Sequence, residues 1–257
     1  MSFSSRRNLF FLGMLGFGAL YLWGLKGLPD FGRYEGVYGI TLNKVAVAQT
    51  HATNLVAAVT FDYRGFDTLG EEFILFAAVV GVAILLRAQR DEAATADEEA
   101  EESKDESRSA PHTSDAVRVL GLALIGPTVL FGLYVVAHGH LTPGGGFSGG
   151  VVLATAALLV YLTGEYVALR RVSPESLTEL AESVGAGGYA AVGFLGLLAG
   201  QAFLTNVLPL GTTGQLNSSG TILLINLAVS VEVAGGFSLI LAEFLEQTLL
   251  IRERKHG

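Results

Sequence analysis

Six long apolar runs, separated by polar stretches, dominate the chain: Asn8–Leu25, Leu69–Leu86, Ala116–Ala137, Gly149–Val167, Tyr189–Leu208 and Thr221–Leu241. Roughly 20 helical residues cross the hydrocarbon core of a bilayer, so each run predicts a membrane-spanning helix. The expected fold class is all-α, a polytopic transmembrane helical protein of about six spans. The polar interruptions group these spans as two plus four. Residues 1–89 form a two-span unit, 90–115 an acidic linker and 116–257 a four-span domain. The linker is rich in Glu, Asp, Ala and Ser and has little to bury, so it reads as a solvated tether or an acidic docking tail.

The connections carry finer expectations. Between the first two spans, Thr50–Thr60 is modestly apolar and predicts a helix lying on the membrane surface or against a partner. Between the fourth and fifth, Ala168–Gly188 contains Pro174 and an acidic stretch, Glu175–Glu182, which predicts a short surface helix. Pro209–Ser219 is a short polar loop between antiparallel neighbours. Lys and Arg concentrate on the cytoplasmic side of membrane helices. With both termini cytoplasmic, twelve of the sixteen basic residues lie inside and only Lys26, Arg33, Lys44 and Arg64 outside. Ser5-Arg6-Arg7-Asn8-Leu9-Phe10 resembles a twin-arginine export signal. The apolar run after it is long for such a signal and has no small-x-small site, so an uncleaved span is expected.

Composition sharpens the picture. Only 16% of the 257 residues are charged and 33 are glycine, which suits close packing between membrane helices. The net charge of −8 equals that of Asp91–Glu106 alone, so no basic surface speaks for a nucleic-acid partner. With no cysteine, the chain has no disulfide, thiol chemistry or iron–sulfur ligation of its own.

Three features carry candidate chemistry. The first is His138-Gly-His140-Leu-Thr142-Pro143-Gly144-Gly145-Gly146-Phe147-Ser-Gly149-Gly150, between two spans on the outside. Consecutive glycines permit backbone conformations closed to other residues, and such backbone near a membrane must be satisfied by protein or water. A turn buried against neighbours is expected, with a helix starting near Phe147. His138 and His140 either hydrogen-bond loop carbonyls or relay protons. A metal site would need a third ligand that is not nearby, so none is expected. A phosphate-binding loop would need a following Gly-Lys-Ser/Thr, which is missing. The second feature is Asp62-Tyr-Arg64-Gly65-Phe66-Asp67-Thr68-Leu-Gly-Glu71, just before the second span. Thr68 and Glu71 have capping-box spacing, and Asp67 with Glu71 could pair carboxylates at a membrane entrance.

The third feature is Glu232, near the middle of the last span. Thr221, Glu232 and Glu243 share a helix face, because eleven residues are almost three turns. Ionisable groups inside a membrane are expensive and default to function. Glu232 and Glu243 are therefore ion-path candidates, with Asp67, Glu71, His138 and His140. The structural alternative is an uncharged Glu232 hydrogen-bonded to Gln201 or Asn206.

The glycine-rich segment resembles the HGHxTPGGGFxGG motif of the B-type subunit of Mrp-type cation/proton antiporters, with Ser148 where many relatives carry Gln. Asp62–Glu71 resembles the DxRGFDTLGE motif at the C-terminal end of the large A-type subunit of the same antiporters. Related subunits occur in membrane-bound hydrogenases. The resemblance covers about residues 9–87 and 117–250. It implies a membrane subunit of a multi-subunit exchanger of Na+ for H+, embedded in the lipid of the cell membrane among other subunits. It implies neither a cofactor nor covalent catalysis, only secondary transport. Two rivals remain: a membrane-arm subunit of a redox-driven complex, and a subunit that serves assembly alone.

Overall fold

The computed structural model describes residues 3–28, 32, 36–97 and 114–256. It is all helical, with no strand among the described residues. The chain divides into two compact units, Met1–Leu42 and Asn43–Gly257. In the first, α1 (Phe3–Leu25) is a 23-residue apolar helix, and α2 (Val37–Thr50) begins. The second unit carries the end of α2, α3 (Leu55–Ala58), a π-helical turn (Val59–Tyr63) and five long helices. These are α4 (Gly65–Asp97), α5 (Asp115–Ala137), α6 (Gly146–Val172), α7 (Glu175–Leu198) and α8 (Thr221–His256). Six helices are long and apolar enough to cross a membrane, as the hydrophobic pattern predicts.

The central element is α8. It packs against α4, α6 and α7, with a smaller contact to α5. Close packing follows from glycine where the helix backbones meet. A Cβ on Gly150 of α6 would lie 2.8 Å from Val233 Cβ of α8. The core joins Ile222, Ile225, Val229 and Val233 of α8 to Tyr189 of α7, Leu69 of α4 and Ala46, Ala57 and Phe61 of the preceding turns.

Four local expectations are corrected. Thr50–Thr60 is not one surface helix: α2 ends at Thr50, His51–Asn54 form a break, and α3 starts after Asn54, whose side chain accepts from Val56 N–H. His51 takes a positive φ of 55°, which ends the helix there. Residues 52, 54, 57 and 58 are buried inside this chain, not spread on a surface.

The acidic Glu175–Glu182 stretch is likewise not a separate surface helix. It is the first part of α7, a candidate span running Glu175–Leu198. Pro174 stands in extended conformation at the N-cap and nothing interrupts the helix after it. The fifth span therefore ends ten residues before Leu208. Gly200, at φ 72°, closes it with paired bonds from Gly200 N to Leu197 O and Gln201 N to Gly196 O. At α4 the helix begins at Gly65, so Thr68 lies inside the first turns and no capping box forms with Glu71. Of the expected acidic linker, residues 90–97 continue α4, while 98–113 lie outside the described residues.

Candidate functional site

The glycine-rich turn joins α5 to α6, and its backbone is satisfied by protein. Asn54 donates through Nδ2 to the carbonyls of Gly139 (2.7 Å) and Thr142 (2.9 Å). Its own N–H donates to His140 O, and the Thr53 hydroxyl donates to Leu141 O at 2.6 Å. From α8, Asn226 donates to Val136 O at the end of α5 and accepts from Gly146 N–H at the start of α6, both at 2.6 Å. One amide thus pins both helix ends, and Gly144 and Gly145 supply the positive φ values of 138° and 132° between them. Pro143, Phe147 and Ser148 face outward. Phe147 meets Phe237 edge to face.

The two histidines part company. His138 caps α5, stacks on Tyr134 and holds Tyr134 O at 3.0 Å through Nδ1. His140 is fully buried. Its Nε2 lies 3.4 Å from Gln215 O, and a carbonyl can only accept, so Nε2 carries the proton. Nδ1 is buried without a partner among the described residues. Burial pushes the His140 imidazole below its ordinary 6.5; the Gln215 carbonyl opposes this and the His138 charge adds to it.

The unfolded chain therefore binds this proton more readily than the folded one, and stability is highest above 6.5 and falls as pH drops below it. The thermal unfolding midpoint should decline between about pH 7.5 and pH 5, and less steeply in His140→Asn. Equal slopes in the two proteins would show that His140 is not the titrating group.

The second motif splits in the same way. Arg64 pairs with Asp67, Nε to Oδ2 at 2.6 Å, at the exposed start of α4. Asp67 and Glu71 are both exposed, and Asp67 engages Arg64 in place of the expected carboxylate pair with Glu71. The residue turned inward is the next one, Glu72, with Thr68 one turn before it. Asp62, in the π-helical turn, is pushed above the usual carboxylate range by burial.

A column of buried carboxyl groups occupies the space between α4, α7 and α8. Glu232 is fully buried, and a Cβ on Gly185 of α7 would stand 2.6 Å from its Cα, so the two backbones touch at this level. Glu182 precedes Gly185 by three residues, and its Oε1 is 3.6 Å from where a Cβ would sit on Gly236. Glu72 and Glu182 both act on Glu232 electrostatically. Both oxygens of Glu232, Oε2 of Glu72 and Oε1 of Glu182 are buried with no hydrogen-bond partner among the described residues. Tyr189 closes the column on one side. It is fully buried and donates to Gly65 O at 2.8 Å.

On the other side the column meets a cavity of about 290 Å³. Glu175, Glu179 and Glu182 line it from α7, Glu243 from α8, and Phe76, Val80, Ala83 and Ile84 from α4. Arg170 of α6 holds Glu175 at 2.9 Å and Glu246 at 3.8 Å. Glu243 lines the same cavity as Glu182, which acts on Glu232, and Thr221 is buried on the same helix as Glu232 and Glu243. Gln201 and Asn206 do not serve Glu232: Asn206 accepts from Thr221 N–H and donates to Ser219 O, capping α8.

Sequence reasoning missed Glu72, Glu182, Asn54 and Asn226. A signal existed for Asn226, an amide inside an apolar run, as for Glu232. Glu182 was hidden by the misplaced start of α7, and Glu72 by its neighbour Glu71.

A family described as a domain related to the MnhB subunit of Na+/H+ antiporter matches residues 116–239. The chain is 38% identical over 77 residues to the B-type subunit of the Na(+)/H(+) antiporter of Alkalihalophilus pseudofirmus, covering 29% of this chain and 51% of that protein. It is also similar to a chain in the membrane-bound sulfane sulfur reductase, an archaeal respiratory membrane complex. There the identity is 33%, the coverage 93% of this chain and 98% of that one, and the TM-score 0.70. A chain of the Mrp complex from Dietzia sp. DQ12-45-1b shares the fold at TM-score 0.71 and 23% identity, over 95% of this chain and 26% of that longer one.

Proposed function

We propose that the buried carboxyl groups of this chain, a member of the family of membrane proteins related to the MnhB subunit of Na+/H+ antiporters, form part of the proton path of the assembled exchanger. The chain is a multi-pass membrane subunit of a cation/proton antiporter and works among other membrane subunits. The ions exchanged are Na+ and H+, and the membrane is the cell membrane, with both termini on the cytoplasmic side as the distribution of basic residues favours. The chain catalyses no covalent step. Residues 1–89 serve as the counterpart of the end of the large A-type subunit, 116–257 as the MnhB-like subunit, and 90–115 tether the two at high effective concentration.

One observation carries the reading: Glu232 is buried between two helices with neither oxygen partnered among the described residues, beside two further buried carboxyl groups. A carboxyl group inside a membrane is costly to hold without a partner, and such groups mark proton and ion pathways. Glu72 and Glu182, from α4 and α7, each lie within electrostatic reach of Glu232 on α8. Each can hold and release one proton, which is what a relay requires. His138, Asp67 and Glu71 lie at the exposed rim and take no part in this column.

The test is Glu232→Gln, which keeps shape and one acceptor but cannot ionise. Cation/proton exchange is measured against pH and normalised to assembled complex. Loss of exchange, or a displaced pH profile, is expected. Unchanged activity and pH dependence would leave Glu232 structural and favour the assembly-only role. A second reading rests on the 33% identity to the respiratory-complex chain: the same subunit sits in a redox-driven complex. Affinity purification from native membranes separates the two, since soluble redox subunits would accompany the chain only in the second case.

A further inference from the structure

We propose that the outward face of α4, centred on Glu71, docks a membrane helix of another subunit that carries a lysine or arginine at the level of Glu71. The inference is independent of the proton-path reading, because it concerns the face of α4 turned away from Glu232.

The depth of Glu71 is fixed by its neighbours. The Tyr189 hydroxyl bonds Gly65 O, and Tyr189 lies nine residues, about 13 Å, before the end of α7 at Leu198. The first residue of α4 therefore stands well inside the outer end of α7. Glu71 is six residues, about 9 Å, further in. The other end of the span agrees: Ala83 and Ile84 meet Glu175 and Glu179 from the start of α7. Glu72, the next residue, is within electrostatic reach of Glu232, which lies eleven residues, about 16 Å, from the start of α8. Glu71 thus stands at the rim of the bundle in circumference and near the middle of the span in depth.

This chain gives the side chain nothing to meet there. Glu71 is exposed, and no hydrogen bond or ion pair reaches it among the described residues. The neighbour on which it acts electrostatically, Glu72, is another acid. The nearest base along the helix, Arg64, is engaged by Asp67. The bases of α1 stand only at its ends, Arg6 and Arg7 at the start and Lys26 just beyond it. A carboxyl group turned to lipid at this depth is costly, and such groups pair within a bundle. The complementary charge has to come from another chain.

The surrounding surface suits a helix. Only 17% of the α4 span is buried inside the chain. Gly70, Ala77 and Gly81 recur at two turns and then one, on one side of the helix. A Cβ on Gly70 or Gly81 would meet nothing within 4 Å, so both leave open space at the surface. Small residues in this register let two membrane helices approach closely. Ile74, 72% exposed, and Ala78 offer apolar contact beside Glu71. Charge selects the occupant: lipid tails leave Glu71 unpaired, and a second copy of the same face sets one carboxyl group against another.

The experiment places the photo-crosslinker p-benzoylphenylalanine at position 78 of the chain in the purified complex and sequences the cross-linked peptides by mass spectrometry. The expected product is a membrane helix of another subunit with a Lys or Arg within about two turns of the cross-linked residue. A lipid adduct, a second copy of this chain or a helix without a base overturns the proposal. Glu71→Ile gives an independent readout. Isoleucine suits lipid, so a lipid-facing position would tolerate it or gain from it, whereas a docked base would be stranded by it. The yield of assembled complex, normalised to the amount of chain in the membrane, should fall by about tenfold or more. An unchanged or raised yield also overturns the proposal.

Discussion

Gly185→Leu is expected to remove the subunit from the assembled complex, whereas Gly187→Leu, two residues away, leaves assembly intact. At Gly185 a Cβ would sit 2.5 Å from the Glu232 Cβ and 2.6 Å from its Cα, and a helix backbone cannot yield as a flexible side chain can. Leucine adds three further carbons at that point. Overpacking a well-filled core usually costs about 1–3 kcal/mol and occasionally more. Here α7 must move off α8 altogether, so the upper end applies. Gly187 meets nothing within 4 Å and is exposed. Both substitutions remove the same conformational freedom from the same helix, so the comparison isolates contact from propensity. Native gels of solubilised membranes provide the measurement. Normal assembly of Gly185→Leu would mean that α7 and α8 do not meet at this level.

The second large effect is at Asn226. Its amide bridges Val136 O and Gly146 N–H, and all three groups are buried. Asn226→Leu keeps the branching at Cγ and strands a buried carbonyl and a buried N–H. Each stranded group costs about 1–3 kcal/mol, so the total is about 2–6 kcal/mol. His138→Ala removes a stacked ring at the exposed edge of the same turn and should cost far less. Complex yield and thermal unfolding midpoint rank the two. A milder effect for Asn226→Leu than for His138→Ala would show that the turn does not depend on its tie to α8.

The number and nature of the spans were legible because a run of apolar residues as long as a bilayer is thick has few other uses. Glu232 and Glu243 were legible for the converse reason: a carboxyl group in such a run stands out, and the eleven-residue spacing puts both on one face. The start of α7 was not legible. Glu175, Glu179 and Glu182 read as a solvated face; Glu179 is indeed exposed and Glu175 half-buried, yet Glu182 is buried, so a carboxyl group lies inside the bundle where the usual pattern expects apolar residues. Glu71 and Glu72 are adjacent acids, and only the true start of α4 at Gly65 decides which one turns inward. The glycine-rich turn was recognisable as a turn, but its ties to Asn54 and Asn226 join residues 80 or more positions apart, beyond the reach of any local pattern.

The place of α8 after α5, α6 and α7 in the chain bears on the order of insertion. A ribosome delivers α5, α6 and α7 to the membrane before the helix that all three touch exists. Until then Val136 O and Gly146 N–H lack the Asn226 amide, and α7, the least apolar of the six candidate spans, lacks the helix against which it packs most extensively. Insertion of α7 and α8 together, as a hairpin, is the expected order, since each covers the other's polar groups. The loop Pro209–Ser219, with Asn206 already bonded to Ser219 and Thr221, is the bend of that hairpin.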